Sequence, residues 1–364
     1  MTSTHEVQSF SPQSPIQRMP GPFTACNTQG LLSLPDEILL EIFNSLPGLP
    51  IPSARKKEEI QAHGHRRPTL EALSQTCRAL RRVSLPFLWE RIEVFSGMQT
   101  AKGPLPPVME YRGLLSRGRL HARELLRQLE VVTIREPAFA DFVRIIDVCI
   151  PEDSIETVLR ELARCMTLMP NLHTIQICFM SSHTFFMKKR SMINTVFKPY
   201  TYPQIKIACV HSQASGLLAQ CPNMKAFHPM KSAWRMISLN SVDCLKSILE
   251  NSPAVETLGL LPVRVPRIIG SDLFEQFISI ASRFRNLRDI HFGLDAFPTK
   301  SDMKLLWKIP NLHVIRITFG KIYQLTEQEV EEWTEEMRIA IHEDPDFAVG
   351  KDKELIVSTM SDQF

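Results

Sequence analysis

A short apolar pattern recurs through the last two-thirds of this 364-residue chain, and it constrains the fold more than any other feature. Each copy has an apolar residue, two spacers, a second apolar residue, one spacer and usually a third apolar residue. The alternation at the end of each copy predicts a short β-strand. The copies are QLEVVTI (128–134), NLHTIQI (171–177), NMKAFHP (223–229), AVETLGL (254–260), NLRDIHF (286–292) and NLHVIRI (311–317), with YPQIKIACV (202–210) as a degenerate candidate.

Helical patterns separate these predicted strands. Three segments place apolar residues at helical spacing, and each pattern predicts an amphipathic helix. These apolar positions are Ile155, Val158, Leu159, Leu162, Ala163 and Met166, then Val242, Leu245, Ile248 and Leu249, then Leu273, Phe274, Phe277, Ile278 and Ala281. A strand–helix unit of roughly 25–30 residues does not bury its own apolar faces, so neighbouring units must stack to do so. The pattern resembles a degenerate leucine-rich repeat.

That resemblance implies an α/β fold in which short parallel strands and helices form an irregular solenoid over 108–320. The strands of such an array line a concave face, and the side chains between their apolar positions point outward. The candidate target-binding residues are His173, Gln176, Arg288, His291, His313 and Arg316. Two alternatives stay open, an ordinary α/β domain and a set of side chains that are merely solvated.

The segment before the repeats predicts a small helical unit. LPDEILLEIFNSLP (34–47) has Pro35 in its first turn, Ser33 as a candidate cap and a Pro-Gly end. TLEALSQTCRALRRVSLPFLWERI (69–92) continues the helical spacing, with Thr69 as the predicted cap. Three small amphipathic helices do not bury all of this apolar surface among themselves, which predicts a partner.

These residues resemble the F-box. The family's opening Leu-Pro helix corresponds to Leu34, Pro35, Glu37, Ile38, Ile42, Phe43 and Leu46. Its second helix corresponds to Leu70, Leu73, Ser74, Cys77 and Arg78, and its aromatic end to Leu88 and Trp89. The resemblance implies an adaptor that docks on the Skp-family linker and, through it, on a cullin scaffold. The implied linker-binding residues are Leu34, Pro35, Glu37, Ile38, Ile42, Phe43, Leu46, Leu73, Cys77 and Trp89.

One departure from the family is the insert at 48–68, which separates the first two helices. Its Pro, Lys, Arg and Glu content predicts an exposed basic loop, and a long loop costs little closure entropy. His63 and His65 are predicted to be solvent-exposed there. The split basic groups 55–57 and 66–67 resemble a bipartite nuclear signal, although a solvated loop is the plainer interpretation.

These patterns divide the chain into five regions. They are a disordered tail over 1–30, an F-box over 31–95, a linker over 96–107, a repeat region over 108–320 and an acidic cap helix with a tail over 321–364. The net charge of +3 conceals an uneven distribution, because residues 327–364 hold 12 acidic and 3 basic side chains. A solvated acidic helix near 327–342 is the simplest explanation.

Motifs for enzyme chemistry are absent from the sequence. It has no phosphate-binding loop, dinucleotide fingerprint, nucleophile elbow or H-E-x-x-H helix. Cys209, His211 and Cys221 form the nearest metal-like group but lack a fourth ligand. We therefore expect a protein that is not an enzyme and has no cofactor, no metal and no nucleic-acid partner. An enzyme with an unrecognised α/β fold in 108–320 and a cullin-independent scaffold are the alternatives.

The predicted location is the cytoplasm, the nucleus or both. The eight cysteines are scattered without a C-x-x-C pair, which favours a reducing compartment. No apolar run reaches the 18 residues of a membrane span. The first residues lack the charged-then-apolar pattern of a secretory signal.

Overall fold

We describe the protein from a computed structural model. It describes residues 34–52, 57–100, 103–106, 115–151, 155–180, 191–211, 214–230, 240–263, 272–294, 297–319, 326–343, 347 and 353–359. The predicted disordered tail over 1–30 and the candidate cap Ser33 lie outside these residues.

A nine-stranded parallel sheet is the centre of the fold. The strands are β1 (Arg91–Val94), β4 (Ile145–Pro151), β5 (Thr174–Met180), β6 (Ile207–Val210), β7 (Ala226–Pro229), β8 (Thr257–Val263), β9 (Asp289–Leu294), β10 (Val314–Phe319) and β11 (Glu354–Thr359). Their order in the sheet is their order in the chain, and every pairing is parallel. Each crossover therefore lays the next strand beside the previous one. β2 (Gln99–Thr100) and β3 (Gly103–Pro104) form a separate antiparallel hairpin.

Helices precede the sheet and fill most crossovers. The first four are α1 (Asp36–Asn44), α2 (Lys57–Gly64), α3 (Arg66–Thr76) and α4 (Arg78–Trp89). The others are α5 (Leu115–Glu130), α6 (Ile155–Met166), α7 (191–196), α8 (Ser215–Leu218), α9 (Asn240–Asn251), α10 (Asp272–Ala281), α11 (Lys300–Trp307) and α12 (Glu327–Glu343). Successive helices contact one another from α8 to α11, so they form a layer beside the sheet. The predicted helices near 155–166, 242–249 and 273–281 correspond to α6, α9 and α10.

The apolar core lies along one face of the sheet. Matching register positions of neighbouring strands carry fully buried apolar side chains, which stack across the sheet from strand to strand. One such row consists of Ile92, Ile146, Ile175, Ala208, Phe227 and Leu258. Because strand neighbours alternate faces, the intervening residues lie on the opposite face, where many are polar. We call this opposite surface the polar face of the sheet.

The first strand of the sheet is closed by a side chain. Gln128 on α5 accepts a hydrogen bond from the Glu93 N–H at 3.2 Å and donates one to the Glu93 carbonyl at 2.9 Å. This amide reproduces the two bonds that a neighbouring strand would exchange with Glu93. Gln128 is fully buried, so the two backbone groups of Glu93 are satisfied without water.

Asparagine links neighbouring units at three turns. Asn171 Nδ2 donates to the Asp141 carbonyl at 2.7 Å, Asn223 Nδ2 to the Pro203 carbonyl at 2.9 Å and Asn311 Nδ2 to the Arg285 carbonyl at 2.8 Å. Each asparagine follows a proline at the entrance to a strand. The recurring Pro-Asn pair in the sequence therefore marks a turn that is fastened to the preceding unit.

Asn311→Ala is expected to lower the free energy of unfolding by about 2 kcal/mol. Asn311 has a φ of 60°, a left-handed conformation that asparagine adopts more readily than alanine. The substitution removes a hydrogen bond worth about 1 kcal/mol and adds about 1 kcal/mol of backbone strain. Urea unfolding measures the change. Asn223→Ala, which loses only the hydrogen bond, is the control, and equal losses for the two variants would contradict the strain argument.

The strand predicted over 128–134 was wrong. This segment contains the end of α5 and a π-helical turn over Val131–Arg135. The reason is a helical stripe that runs through it, because apolar residues three and four positions apart bury one face. This stripe consists of Ala122, Leu125, Leu129 and Val132. The true strand of this unit is β4, which the sequence analysis did not identify.

The predicted region boundaries also differ from the sheet. β1 lies within the predicted F-box, and β11 lies within the predicted acidic tail, yet both belong to the same nine-stranded sheet. The predicted linker over 96–107 contains the β2–β3 hairpin. A strand is present in the degenerate candidate 202–210, where β6 occupies Ile207–Val210.

Candidate partner-binding surfaces

Helix α1 buries one side and exposes apolar residues on the other. Leu39 and Phe43 are 5 % and 1 % exposed, and the ring of Phe43 lies 5.4 Å from that of Phe87 on α4. Ile38 and Ile42, four residues apart, are 41 % and 39 % exposed. The F-box resemblance grouped Ile38, Ile42 and Phe43 together as linker-binding residues. The structure uses the neighbouring stripe for the core.

Pro35, Ile38 and Ile42 form an exposed apolar stripe, since residues three and four apart share a helix face. We call these three residues the α1 stripe. Glu37 is also exposed beside it. Phe43, on the other side of α1, is buried in the core and anchors the helix, so the stripe lies on a fixed element of structure. Rigid presentation of apolar side chains is suited to docking a protein partner.

The other predicted linker-binding residues fall into two groups. Half-buried residues at the edge of the helical unit are Leu34, Leu46, Leu73 and Cys77. Trp89 is buried and stacks on Phe139, with the Arg67 guanidinium 5.0 Å above its ring. Trp89 and Phe43 therefore support the surface from within and do not form it.

The described part of the 48–68 insert is not an exposed loop, and that prediction was wrong. It contains α2 and the start of α3, which begins at Arg66 and not at the predicted cap Thr69. His63 and Arg67 are 3 % and 8 % exposed. The predicted exposure of His63 was therefore also wrong. His63 is buried because Glu93 on strand β1 offers it a charged partner that the local sequence does not reveal, whereas Arg67 pairs with Glu71 one turn further along α3.

Glu93 is the central acceptor of this buried network. His63 Nε2 lies 2.8 Å from Glu93 Oε2, and Arg91 Nε donates to Glu93 Oε1 at 2.5 Å. Burial opposes ionisation of Glu93, but the charge of Arg91 and the hydrogen bond with His63 outweigh it and lower its pKa to about 2. His63 Nδ1 is also 3.0 Å from the Pro47 carbonyl, so the network ties the end of the first helical segment to the sheet.

Arg66 adds a second tie between the insert and the sheet. Its guanidinium donates to the Leu46 carbonyl at 3.1 Å and to Glu90 Oε2 at 3.1 Å. Burial is the main cause that lowers the pKa of Arg66, with the charges of Glu90 and Glu93 opposing it. The insert thus positions α1 relative to β1 through charged side chains, which sequence reasoning assigned to solvent.

Gln176 does not belong to an accessible surface. It occupies the same register row as Glu93, Asp147 and Cys209, and its Nε2 donates to Asp147 Oδ1 at 3.0 Å. Gln176 and Asp147 are both fully buried. The prediction that Gln176 contacts a target was therefore wrong, because this part of the polar face is covered.

His291 and Arg316 lie on the polar face at its far end, where they are half-buried. Arg316 contacts Asp289 through Nε and Nη2 at 3.1 to 3.3 Å, a bidentate ion pair across two strands. His291 Nε2 lies 2.8 Å from Thr318 Oγ1, which in turn lies 2.9 Å from Ser358 Oγ. The structure therefore brings these two predicted residues together, on neighbouring strands with register partners.

His173, Arg288 and His313 lie elsewhere, one residue before the first residue of β5, β9 and β10. Arg288 and His313 are exposed and His173 is half-buried. Backbone hydrogen bonds join them to the equivalent residues of neighbouring units, which include Arg144, Lys206 and Lys225. Sequence analysis did not select these last three, although Lys206 and Lys225 lie inside the copies 202–210 and 223–229; Arg144 lies outside every copy.

The described residues also bear on metal binding and on membrane crossing. In the described residues, no three His, Cys, Asp or Glu side chains are grouped so that they could hold a metal ion. No described helix combines the length and the apolar character that crossing a membrane requires.

Comparison with known proteins adds no family. No family model matches the chain, and no curated protein matches it.

Proposed function

We propose that this chain is a substrate-recognition adaptor of a cullin-based SCF-type ubiquitin ligase. The helical unit α1–α4 would bind the Skp-family linker, and the parallel array after it would bind a target protein. The array would be an irregular solenoid of the leucine-rich-repeat type. The proposal rests on the F-box resemblance of residues 34–92 together with one observation, the exposed α1 stripe on a helix whose opposite side is anchored in the core.

The mechanism of such an adaptor is proximity. Linker and target bind to one folded chain, so the target is held near the ubiquitin-charged enzyme at a high effective concentration. No residue of this chain needs to take part in the transfer. The contiguous sheet fits this role, because β1 is continuous with the helical unit and with the strands that follow. A rigid connection keeps the distance between linker and target constant.

The test is capture of the full-length chain by purified Skp-family linker. Ile38→Asp/Ile42→Asp is expected to weaken binding at least 100-fold, since buried interface anchors commonly contribute 2 kcal/mol or more each and a carboxylate is costly to bury. Ile339→Asp is the matched control, because Ile339 on α12 is an isoleucine with a similar exposure of 47 %. Circular dichroism melting checks that each variant is folded.

The possible results of this experiment distinguish the proposed adaptor from its alternatives. Loss of capture in the double variant alone supports the proposal, and addition of cullin then tests whether a ternary complex forms. Capture of the linker without cullin assembly or ubiquitin transfer favours a cullin-independent scaffold. If the folded wild-type chain does not bind the linker, or if both variants bind equally well, the α1 stripe is not the docking surface.

A further inference from the structure

A row of basic side chains runs along the edge of the sheet where the strands begin. Its members precede the strands in equivalent positions, and a continuous series of backbone hydrogen bonds joins them. The N–H of each residue donates to the carbonyl of its counterpart in the preceding unit at 2.8 to 3.0 Å. The series begins at the Glu90 carbonyl, which accepts from the Arg144 N–H, and ends at the Glu354 N–H, which donates to the His313 carbonyl at 2.7 Å. Between these two acidic residues lie, in order, Arg144, His173, Lys206, Lys225, Glu256, Arg288 and His313. We call this set the basic edge row.

The row contains more basic than acidic side chains. Lys225 pairs with Glu256 at 3.0 Å. Arg144, Lys206 and Arg288 are exposed and form no ion pair with any residue that the structure describes. Desolvation lowers the pKa of His173, the charges of Arg144 and Lys206 on either side lower it further, and the charge of Glu90 opposes them. The field around His173 is therefore positive, which attracts negative charge.

The spacing of the row indicates the size of a complementary partner. Neighbouring strands lie about 4.8 Å apart, so the six steps from Arg144 to His313 cover about 29 Å. An extended peptide spans that distance with about nine residues. If alternate residues are acidic, such a peptide carries about one charge per 7 Å, or about four in total. The row has four lysine and arginine side chains, of which Lys225 is already paired with Glu256, so Arg144, Lys206 and Arg288 are the cations that such a peptide would meet.

The same arithmetic disfavours a nucleic acid. A DNA duplex presents one phosphate charge per 1.7 Å of axis, or about 17 over the same 29 Å. Four fixed cations interrupted by Glu256 compensate little of that charge. We infer that the basic edge row binds an acidic peptide segment of about nine residues, running across the beginnings of strands β4 to β10. That this segment belongs to a target for ubiquitin transfer rests on the proposed function, but binding itself does not.

The experiment uses the full-length chain without linker or cullin. A fluorescein-labelled nonapeptide of alternating Glu and Ser is titrated and followed by fluorescence anisotropy. The expected result is saturable binding that weakens as salt is raised from about 50 to 500 mM, because screening shortens the range of the charges. A peptide with Gln in place of Glu is expected not to bind.

Two charge-reversal variants then locate the site. Arg144→Glu/Lys206→Glu removes two of the four fixed cations and is expected to weaken binding at least tenfold. Arg119→Glu/Arg123→Glu makes the same charge change at exposed positions in the first half of α5 and is expected to bind almost as wild type. Arg144→Gln/Lys206→Gln provides a milder variant if the first one unfolds, with an intermediate loss expected.

Several outcomes would overturn the inference. They are equal binding by the two reversed variants, equal binding of the Gln peptide, and tighter binding of a 10-base-pair duplex that is lost in Arg144→Glu/Lys206→Glu. The duplex result would assign the row to nucleic acid. None of these measurements involves the α1 stripe, so failure here is distinguishable from failure of linker capture.

Discussion

Glu93→Gln is expected to lower the free energy of unfolding by about 3 kcal/mol. The substitution leaves Arg91 and His63 buried beside a neutral amide, and removing one partner of a buried ion pair commonly costs 3 to 5 kcal/mol. The pKa of Glu93 gives a similar figure. It falls from 4.5 to about 2, and each pKa unit corresponds to about 1.4 kcal/mol. Urea unfolding at neutral pH measures the loss.

The pH dependence provides a second readout of the same carboxylate. Because the pKa of Glu93 is lower in the folded chain, its stabilising contribution is complete above pH 4.5 and is lost as the pH falls towards 2. The wild-type chain should therefore lose stability more steeply than Glu93→Gln across that interval. Glu156→Gln, which breaks an exposed pair with Arg160, is the control and should cost less than about 1 kcal/mol. A Glu93 variant as stable as this control would show that the network contributes nothing.

Phe227→Ala is expected to cost about 3 to 5 kcal/mol and to divide unfolding into two stages. Phe227 lies in β7 and is 2 % exposed. Replacing a large core side chain by alanine leaves a cavity, and such changes lower the free energy of unfolding by about 3 to 5 kcal/mol. The strand of Phe227 also forms the shortest pairing in the sheet, since β7 and β8 share only two register pairs, Ala226 with Thr257 and Phe227 with Leu258. In an array whose units contact mainly their neighbours, weakening one junction uncouples the two sides.

Tryptophans on the two sides of this junction report the two stages. Single-tryptophan versions that retain Trp89 or Trp333 should give coincident urea curves in the wild-type background and separated curves with Phe227→Ala. Phe292→Ala in β9 is the matched control, because Phe292 is fully buried but its strand shares six register pairs with β10. Coincident curves in Phe227→Ala would show that the sheet unfolds as one unit.

Periodicity predicted much of the central fold. The strands at Thr174–Met180, Asp289–Leu294 and Val314–Phe319 follow an alternating pattern with a Pro-Asn turn in front of most of them. In the helices between them, most of the described apolar positions are buried, among them Leu162, Leu245 and Phe277. What periodicity failed to distinguish is the segment 128–134, where the same apolar residues satisfy both a helical and an alternating spacing. The packing of α5 against β1 and β4 determines that this segment is helical.

The candidate surfaces were less predictable, because burial of a charge depends on partners remote in sequence. Nothing near His63 indicates that Glu93, thirty residues later, is its partner. The strand pattern predicts that Gln176 points outward. In the structure, Asp147 on the neighbouring strand accepts a hydrogen bond from it. The sequence placed Ile38 and Ile42 on an amphipathic helix, but it did not show which of two adjacent stripes faces the core.

Gln128, which hydrogen-bonds the outer edge of β1, makes the two edges of the sheet different. Because the Gln128 amide already occupies both backbone groups of Glu93, strand addition is blocked at β1, and the helical unit sits at a finished end. Variation in the number of units is then confined to the strands beyond it. A chain of this architecture can lengthen or shorten its sheet there while helices α1 to α4 stay unchanged.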